Sequence, residues 1–258
     1  MKSLREGDAV GNPLVLIDGD IVLFRACAAC EREVKWDEFN HVLQSNEEEA
    51  WDAVTSIMRG ITTAVGSKHV AIALSGGDNF RKHLSPTYKR HRGRKPLGYV
   101  TIRERMESVW DCKSVETLEG DDLLGIWQTS GKLGDTIIWS IDKDMRGIPG
   151  GHWDVKSGNA IAVSHDEADY FWMTQVLTGD TADGYPGLPG CGPKTAEKIL
   201  APCKGLKAMW GGIISAYISK GLGEEDALLQ AQLARILRAE DWDSERKEVK
   251  LWKPQFDN

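Results

Sequence analysis

The sequence predicts an α/β fold: a central, mostly parallel sheet with helices on both faces, plus a C-terminal helix-hairpin-helix region. Three observations carry this. Short apolar runs of strand length stop at Asp or Gly, as strands buried on both faces do. Longer amphipathic stretches separate them, so strand and helix alternate. Late in the chain a glycine- and proline-rich segment, "TGDTADGYPGLPGCGPKTAEKIL", leads into a further helix.

Each element follows from local chemistry. "PLVLID" is a buried strand ending at Asp18, with a helix after it to about Ala29. "NEEEAWDAVTSIMRGITTAV" opens on acids, which suit a helix N-terminus, and continues as an amphipathic helix. "HVAIALS" is a second buried strand, followed by Gly76, Gly77 and Asp78. From Arg81 to Lys95 there are seven Lys or Arg and no acid, too polar for core and expected to be a flexible basic loop. A helix is predicted near "TIRERMESVW" and a third strand at "CKSVET". "LEGDDLLGIWQTS" is a helix entered through acids, and "DTIIWSI" a fourth strand running out at Asp142 and Asp144. "HWDVKSGNAIAV" reads as a hairpin, "HDEADYFWMTQVL" as a helix, and the chain beyond about Lys204 as helical.

With 258 residues, 41% hydrophobic and 28% charged, the chain can bury a real core, which excludes global disorder. No apolar run is long enough to cross a membrane, and "MKSLREGDAV" has no hydrophobic signal core, so a cytoplasmic location is expected. Cys27 and Cys30 form a C-x-x-C, but no second pair supplies the ligands a zinc site needs; two reduced cysteines on one helix face is the simpler reading.

A net charge of −7, spread evenly, would argue against nucleic acid. It is not spread evenly. Parallel sheets build sites at the C-terminal edge of their strands. Asp18, Asp78, Asp142 and Asp144 each follow a predicted strand, and Glu119, Asp121 and Asp122 open the helix after the third. Asp142 and Asp144 share a face if their strand continues, and Asp180 and Asp183 share a face in a helical turn. Setting those nine acids aside turns −7 into +2. Nine like charges in one crevice require protonation or hard cations. An all-oxygen donor set suits Mg²⁺ or Mn²⁺, and two such ions about 4 Å apart recur in phosphodiester hydrolysis.

Two further stretches point at phosphate. Gly190 and Gly192 permit a tight turn, Pro193 starts a helix, and Lys194 and Thr195 sit at its N-terminus, where a DNA phosphate is favoured without reading sequence. The basic stretch, with Arg81, Lys82, Lys89, Arg90, Arg92, Arg94 and Lys95, reads as a phosphate-gripping arch, and Tyr88 as a stacking platform for a terminal base. Metals held by these acids would activate water.

Two other classes compete. "LIDGDIV" also fits the paired aspartates of a haloacid-dehalogenase-type phosphatase, with Asp18 and Asp20 reactive and Ser75 on phosphate. A non-catalytic helix-hairpin-helix DNA-binding protein would use the hairpin and basic run, yet has no use for nine converging acids.

Five segments in order, "LVLIDGD", "ALSGGDNFRKHLSPTYKRHR", "TLEGDD", "SIDKDM" and "GDTADGYPGLPGCGPKTAEKIL", resemble the 5′-nuclease (flap endonuclease) superfamily, in particular the 5′→3′ exonucleases of short-tailed bacteriophages. The resemblance spans about residues 14 to 203. It implies a PIN-like nuclease domain over residues 1–178, with the arch near 80–98, and a helix-hairpin-helix DNA-binding and helical region over 179–258. It implies 5′→3′ exonuclease action on duplex DNA with a 5′ end or flap, RNA removal from RNA–DNA hybrids in phage replication, no nucleotide cofactor, and the host cytoplasm. It assigns Asp78, Glu119, Asp121 and Asp122, with Asp18 nearby, to a first metal, and Asp142, Asp144, Asp180 and Asp183 to a second. Lys89, Arg92, Asp121 and Asp122 become the catalytic set, and Gly190 and Gly192 a K⁺ site. Two positions depart from the pattern: Gly120 stands where many relatives carry alanine, and Asp20 is an extra acid. A short segment between Arg92 and Glu119 favours exonuclease action over threading of a long flap.

Overall fold

The structure, a computed structural model, describes residues 12–256; the N-terminal "MKSLREGDAV" lies outside the described residues. Strand β1 (Leu14–Asp18) runs into α1 (Gly19–Cys30), whose N-terminus Asp18 caps by accepting from the Ile21 N–H. The chain then makes an antiparallel hairpin, β2 (Glu31–Lys35) and β3 (His41–Ser45), which projects largely exposed and which the sequence reading did not anticipate. Alternation over "EREVK" is polar on both faces, so it carries no hydrophobic period to detect. Next come α2 (Glu47–Val65), capped by Asn46, β4 (Val70–Ser75), α3 (Phe80–Leu84) and α4 (Tyr99–Val109).

Strand β5 (Cys112–Val115) precedes α5 (Gly120–Thr129), and β6 (Thr136–Trp139) precedes a 3₁₀ turn (Lys143–Gly147). The hairpin β7 (Gly150–Asp154) and β8 (Asn159–Val163) closes the sheet edge. Helices α6 (His165–Thr178), α7 (Pro193–Leu200), α8 (Gly205–Ser219) and α9 (Glu224–Ala234) follow. The six-stranded sheet has the order β5-β4-β1-β6-β7-β8, parallel except for β8. The α/β class with a mostly parallel sheet is therefore as expected.

Apolar residues of β1 alternate between two cores. Val15 and Ile17 pack with α1, α2 and α4; Leu16 packs with α5 on the other face. Ile17 and Leu16 are fully buried, and each such side chain contributes about 1.5–3 kcal/mol relative to exposure. A third core joins α6 to α7, α8 and α9, so the packing runs across residue 178, where the domain division was expected. Beyond α9 the chain crosses back: Leu237 packs under α5, and Trp252 then sits edge-on to Trp172 and Trp210 at 4.9 and 5.0 Å. No helix among the described residues is long and apolar enough to cross a membrane.

Candidate active site

The C-terminal ends of β1, β5 and β6 meet the loop after α6 at one edge of the sheet. Electrostatic influence runs unbroken through Asp18, Glu119, Asp121, Asp142, Asp144, Asp180 and Asp183, seven of the nine expected acids. Burial, then the charge of Asp20, pushes Asp18 up to about 7. Burial and the neighbouring Asp18 push Asp121 well above the usual carboxylate range. Asp144 rises to about 6 through burial and Asp142. Ser140 donates to Asp18 at 3.0 Å and Gln175 to Asp144 at 2.9 Å.

Glu119 is the opposite case. Burial alone would raise its pKa, but Lys89 and Arg81 outweigh it and bring it down to about 2. The Lys89 ammonium is ion-paired with Glu119 and lies 3.5 Å from Asp183, to which Arg92 bonds at 2.8 Å. Lys89 has φ +53, a left-handed backbone that costs a non-glycine residue about 1 kcal/mol or more. Its own N–H holds it there by donating to the Asp183 carbonyl at 2.8 Å. A Cβ on Gly184 would meet the Thr87 carbonyl at 2.5 Å, so only glycine lets this loop approach the arch so closely.

Two expected ligands do not join the acids. Asp122 is fully buried behind them. Its Oδ1 accepts from Arg81 at 2.7 Å and the Leu237 N–H at 3.1 Å; its Oδ2 accepts from Arg81 at 2.8 Å and the Glu119 N–H at 3.2 Å. Four donors fill a carboxylate's lone pairs, which leaves none for a cation. Asp78 turns away to His83, at 2.6 Å, which together with the Asn79 N–H lowers its pKa; it is 44% exposed.

Two expected DNA contacts are likewise corrected. Arg81 is buried, and its guanidinium also donates to the carbonyls of Leu233 and Arg235 and to Glu119, so no donor remains for a phosphate. Tyr88 is 4% exposed, with its hydroxyl donating to Glu119 at 2.9 Å, and offers no face for a base. The strand-face reading of Asp142 and Asp144 also gives way, because β6 ends at Trp139 and Asp142 caps the 3₁₀ turn through the Asp144 N–H. Asp180 and Asp183 lie in a turn in which Asp180 accepts from the Asp183 N–H at 3.2 Å.

Lys82, Arg90, Arg92, Arg94 and Lys95 are exposed, though Arg94 is ion-paired with Glu31 and the Lys95 ammonium lies 4.2 Å from the centre of the Tyr99 ring. Gly190, Gly192, Lys194 and Thr195 are exposed around the uncapped N-terminus of α7. Sequence reasoning missed Gln175, although a lone amide in "FWMTQVL" signals it, and missed Ser140, which nothing local marks.

The donor set fits a hard divalent cation. It is all oxygen, and among the described residues no hydrogen-bond donor meets the partly buried Asp121 carboxylate. The described residues do not already close three or more donors around one point; Lys89, Arg81 and Arg92 occupy the carboxylates instead.

Buried carboxylates at the edge of a parallel sheet, faced by lysine and arginine, fit metal-assisted phosphodiester hydrolysis. Comparison with known proteins agrees. Residues 13–169 match the family described as 5′-3′ exonuclease, N-terminal resolvase-like domain, and the chain belongs to that 5′-3′ exonuclease family. The chain is 28% identical to an exonuclease of Escherichia phage T7, covering 97% of this chain and 96% of that protein. It is 27% identical to the flap endonuclease Xni of Shewanella baltica (strain OS185), covering 87% and 89%. A flap endonuclease of bacteriophage T5, solved as a pseudo-enzyme-product complex with DNA and metal ions, shares the fold at a TM-score of 0.63 and 13% identity, covering 87% and 89%.

Proposed function

We propose that this protein is a divalent-cation-dependent 5′→3′ exonuclease that hydrolyses phosphodiester bonds at the 5′ ends of duplex DNA. Flap cutting and RNA removal from RNA–DNA hybrids are its related activities, and phage DNA replication in the host cytoplasm is its setting. One observation carries the reading: buried Asp121, which no hydrogen-bond donor among the described residues meets, is raised in pKa by burial and by Asp18, Asp18 is itself raised by burial and Asp20, and Lys89 is the cation that acts on Asp121. Above the pH at which such carboxylates protonate, a divalent cation is what neutralises them.

Mg²⁺ or Mn²⁺ suits these oxygens. Asp18, Glu119 and Asp121 would hold one ion; Asp142, Asp144, Asp180 and Asp183 would hold the second. Bound there, the cations would offset phosphate charge and make a water more acidic. Lys89 and Arg92 would stabilise negative charge on the scissile phosphate, and Tyr88 fixes Glu119 in place through its hydroxyl. Lys82, Arg90, Arg94 and Lys95 would steer the backbone across the arch. Gly190, Gly192, Lys194 and Thr195 would grip the duplex away from the cut, with K⁺ at the two glycines. On this reading residues 1–178 form the nuclease unit and 179–258 the DNA-binding region.

The test is incubation with 5′-labelled blunt duplex DNA and Mg²⁺, with EDTA and Asp121→Asn as controls. Short labelled products that need both metal and Asp121 support the proposal. DNA bound but uncut in Mg²⁺ and Mn²⁺ alike overturns it.

A further inference from the structure

Strand β1 ends on Asp18, β6 is followed by Asp142 and β5 by Glu119 and Asp121, but β4, which lies between β5 and β1, ends on Ser75. The acid expected after it, Asp78, is drawn off to His83. The gap is filled from another element. Asp20, in the first turn of α1, accepts from the Ser75 N–H through Oδ2 at 2.8 Å. Its Oδ1 accepts from the Tyr99 hydroxyl at 2.6 Å.

Ser75 also binds the other side of this junction. Its Oγ accepts from the Gly120 N–H at 3.0 Å, which ties the end of β4 to the turn carrying Glu119 and Asp121. A methyl group on Gly120 would stand 3.1 Å from Asp20 Oδ2 and 3.3 Å from the Ala73 carbonyl. That is tighter than ordinary Cβ contacts, and the neighbour in the way includes rigid backbone. The extra acid and the glycine, separate oddities in the sequence, are thus one packed unit: the glycine makes room for the carboxylate.

We propose that Asp20 is the carboxylate this chain uses at the end of β4, an outer member of the divalent-cation site of Asp18, Glu119 and Asp121, oriented by Tyr99 and the Ser75 N–H. This rests on the preceding reading that the site takes divalent cations. One hydrogen bond to each oxygen leaves a lone pair on each, enough to accept from a cation's hydration water.

The experiment is calorimetric titration of the full chain with Mn²⁺, without DNA, in parallel with the Mg²⁺ dependence of cleavage. Asp20→Asn is expected to weaken Mn²⁺ binding about tenfold, the usual effect of losing an outer carboxylate. Asp78→Asn is expected to leave it unchanged within about twofold, since Asp78 lies outside the site. Tyr99→Phe, which removes the orienting hydrogen bond but no charge, should weaken binding in the same direction by less. Adding Ser75→Asp to Asp20→Asn should restore part of the affinity, which a loss of folding would not allow. Mn²⁺ binding by Asp20→Asn and by Tyr99→Phe equal to the parent overturns the inference, as does a larger effect from Asp78→Asn. Asp121→Asn separates the two readings. If the parent chain binds no Mn²⁺, the cation-site reading itself fails. If Asp121→Asn loses binding and Asp20→Asn does not, only the role of Asp20 fails.

Discussion

Arg81 shows how a single residue's surroundings override its type. Surrounded by lysines and arginines in the chain, it reads as part of a phosphate grip. In the fold it is sealed against Asp122, with five donor contacts to Asp122, Glu119 and two backbone carbonyls. Arg81→Ala leaves Asp122 buried without its cation, which destabilises a protein by about 3–5 kcal/mol. Urea denaturation should show that loss. Arg81→Lys should recover little of it, because an ammonium lacks the planar fork that meets both carboxylate oxygens. DNA affinity of the folded fraction should hardly change, and a large drop there would return Arg81 to the DNA-binding set.

At the scale of elements, the strand ends set the pH response. Asp18 has a folded pKa of about 7 against a usual 3.8. A carboxylate raised in this way stabilises the fold at low pH, where it is protonated in both states. That contribution is lost as pH rises through about 7, and a shift of this size is worth on the order of 4 kcal/mol. Asp144, raised to about 6, acts in the same direction. The metal-free melting temperature should therefore fall between about pH 4 and pH 7, and Mg²⁺ should remove most of that slope. A flat profile without metal would contradict the burial of these carboxylates. Helix α7 belongs to a different element with a different output. Lys194, exposed in its first turn, should contact phosphate. Lys194→Glu should weaken duplex binding and reduce its salt dependence, measured by fluorescence anisotropy, without altering Mn²⁺ affinity.

Across the whole molecule, the C-terminal segment holds the site together from behind. Leu233 and Arg235 give carbonyls to Arg81, Leu237 gives its N–H to Asp122, and Arg238 bonds the Gly147 carbonyl beneath the 3₁₀ turn. Arg238 also pairs with Asp169 of α6 at 2.7 Å, and Trp252 closes the helical core. Truncation after Gln232 should abolish cleavage and broaden thermal unfolding, even though every proposed metal ligand is retained. Unchanged activity would mean that the Arg81–Asp122 pair stands alone. The carbonyl and N–H contacts have no signal in "LARILRAEDW", since the backbone groups are the same in every residue of it.

By itself the sequence determined the alternation of strand and helix, the edge of the sheet where acids gather, and the glycine-rich hairpin ahead of α7. Those features depend on local period and turn chemistry, which neighbouring residues settle. It also marked Asp20 and Gly120 as unusual without linking them, because residues a hundred positions apart share no local pattern. Only the tertiary structure decided which acids face one another. It placed Asp122 on Arg81, Asp78 on His83 and Asp20 on Ser75, and it turned Tyr88 inward onto Glu119. A carboxylate becomes a metal ligand, an ion-pair partner or a helix cap according to the donors within about 3 Å of it, and long-range packing alone sets those.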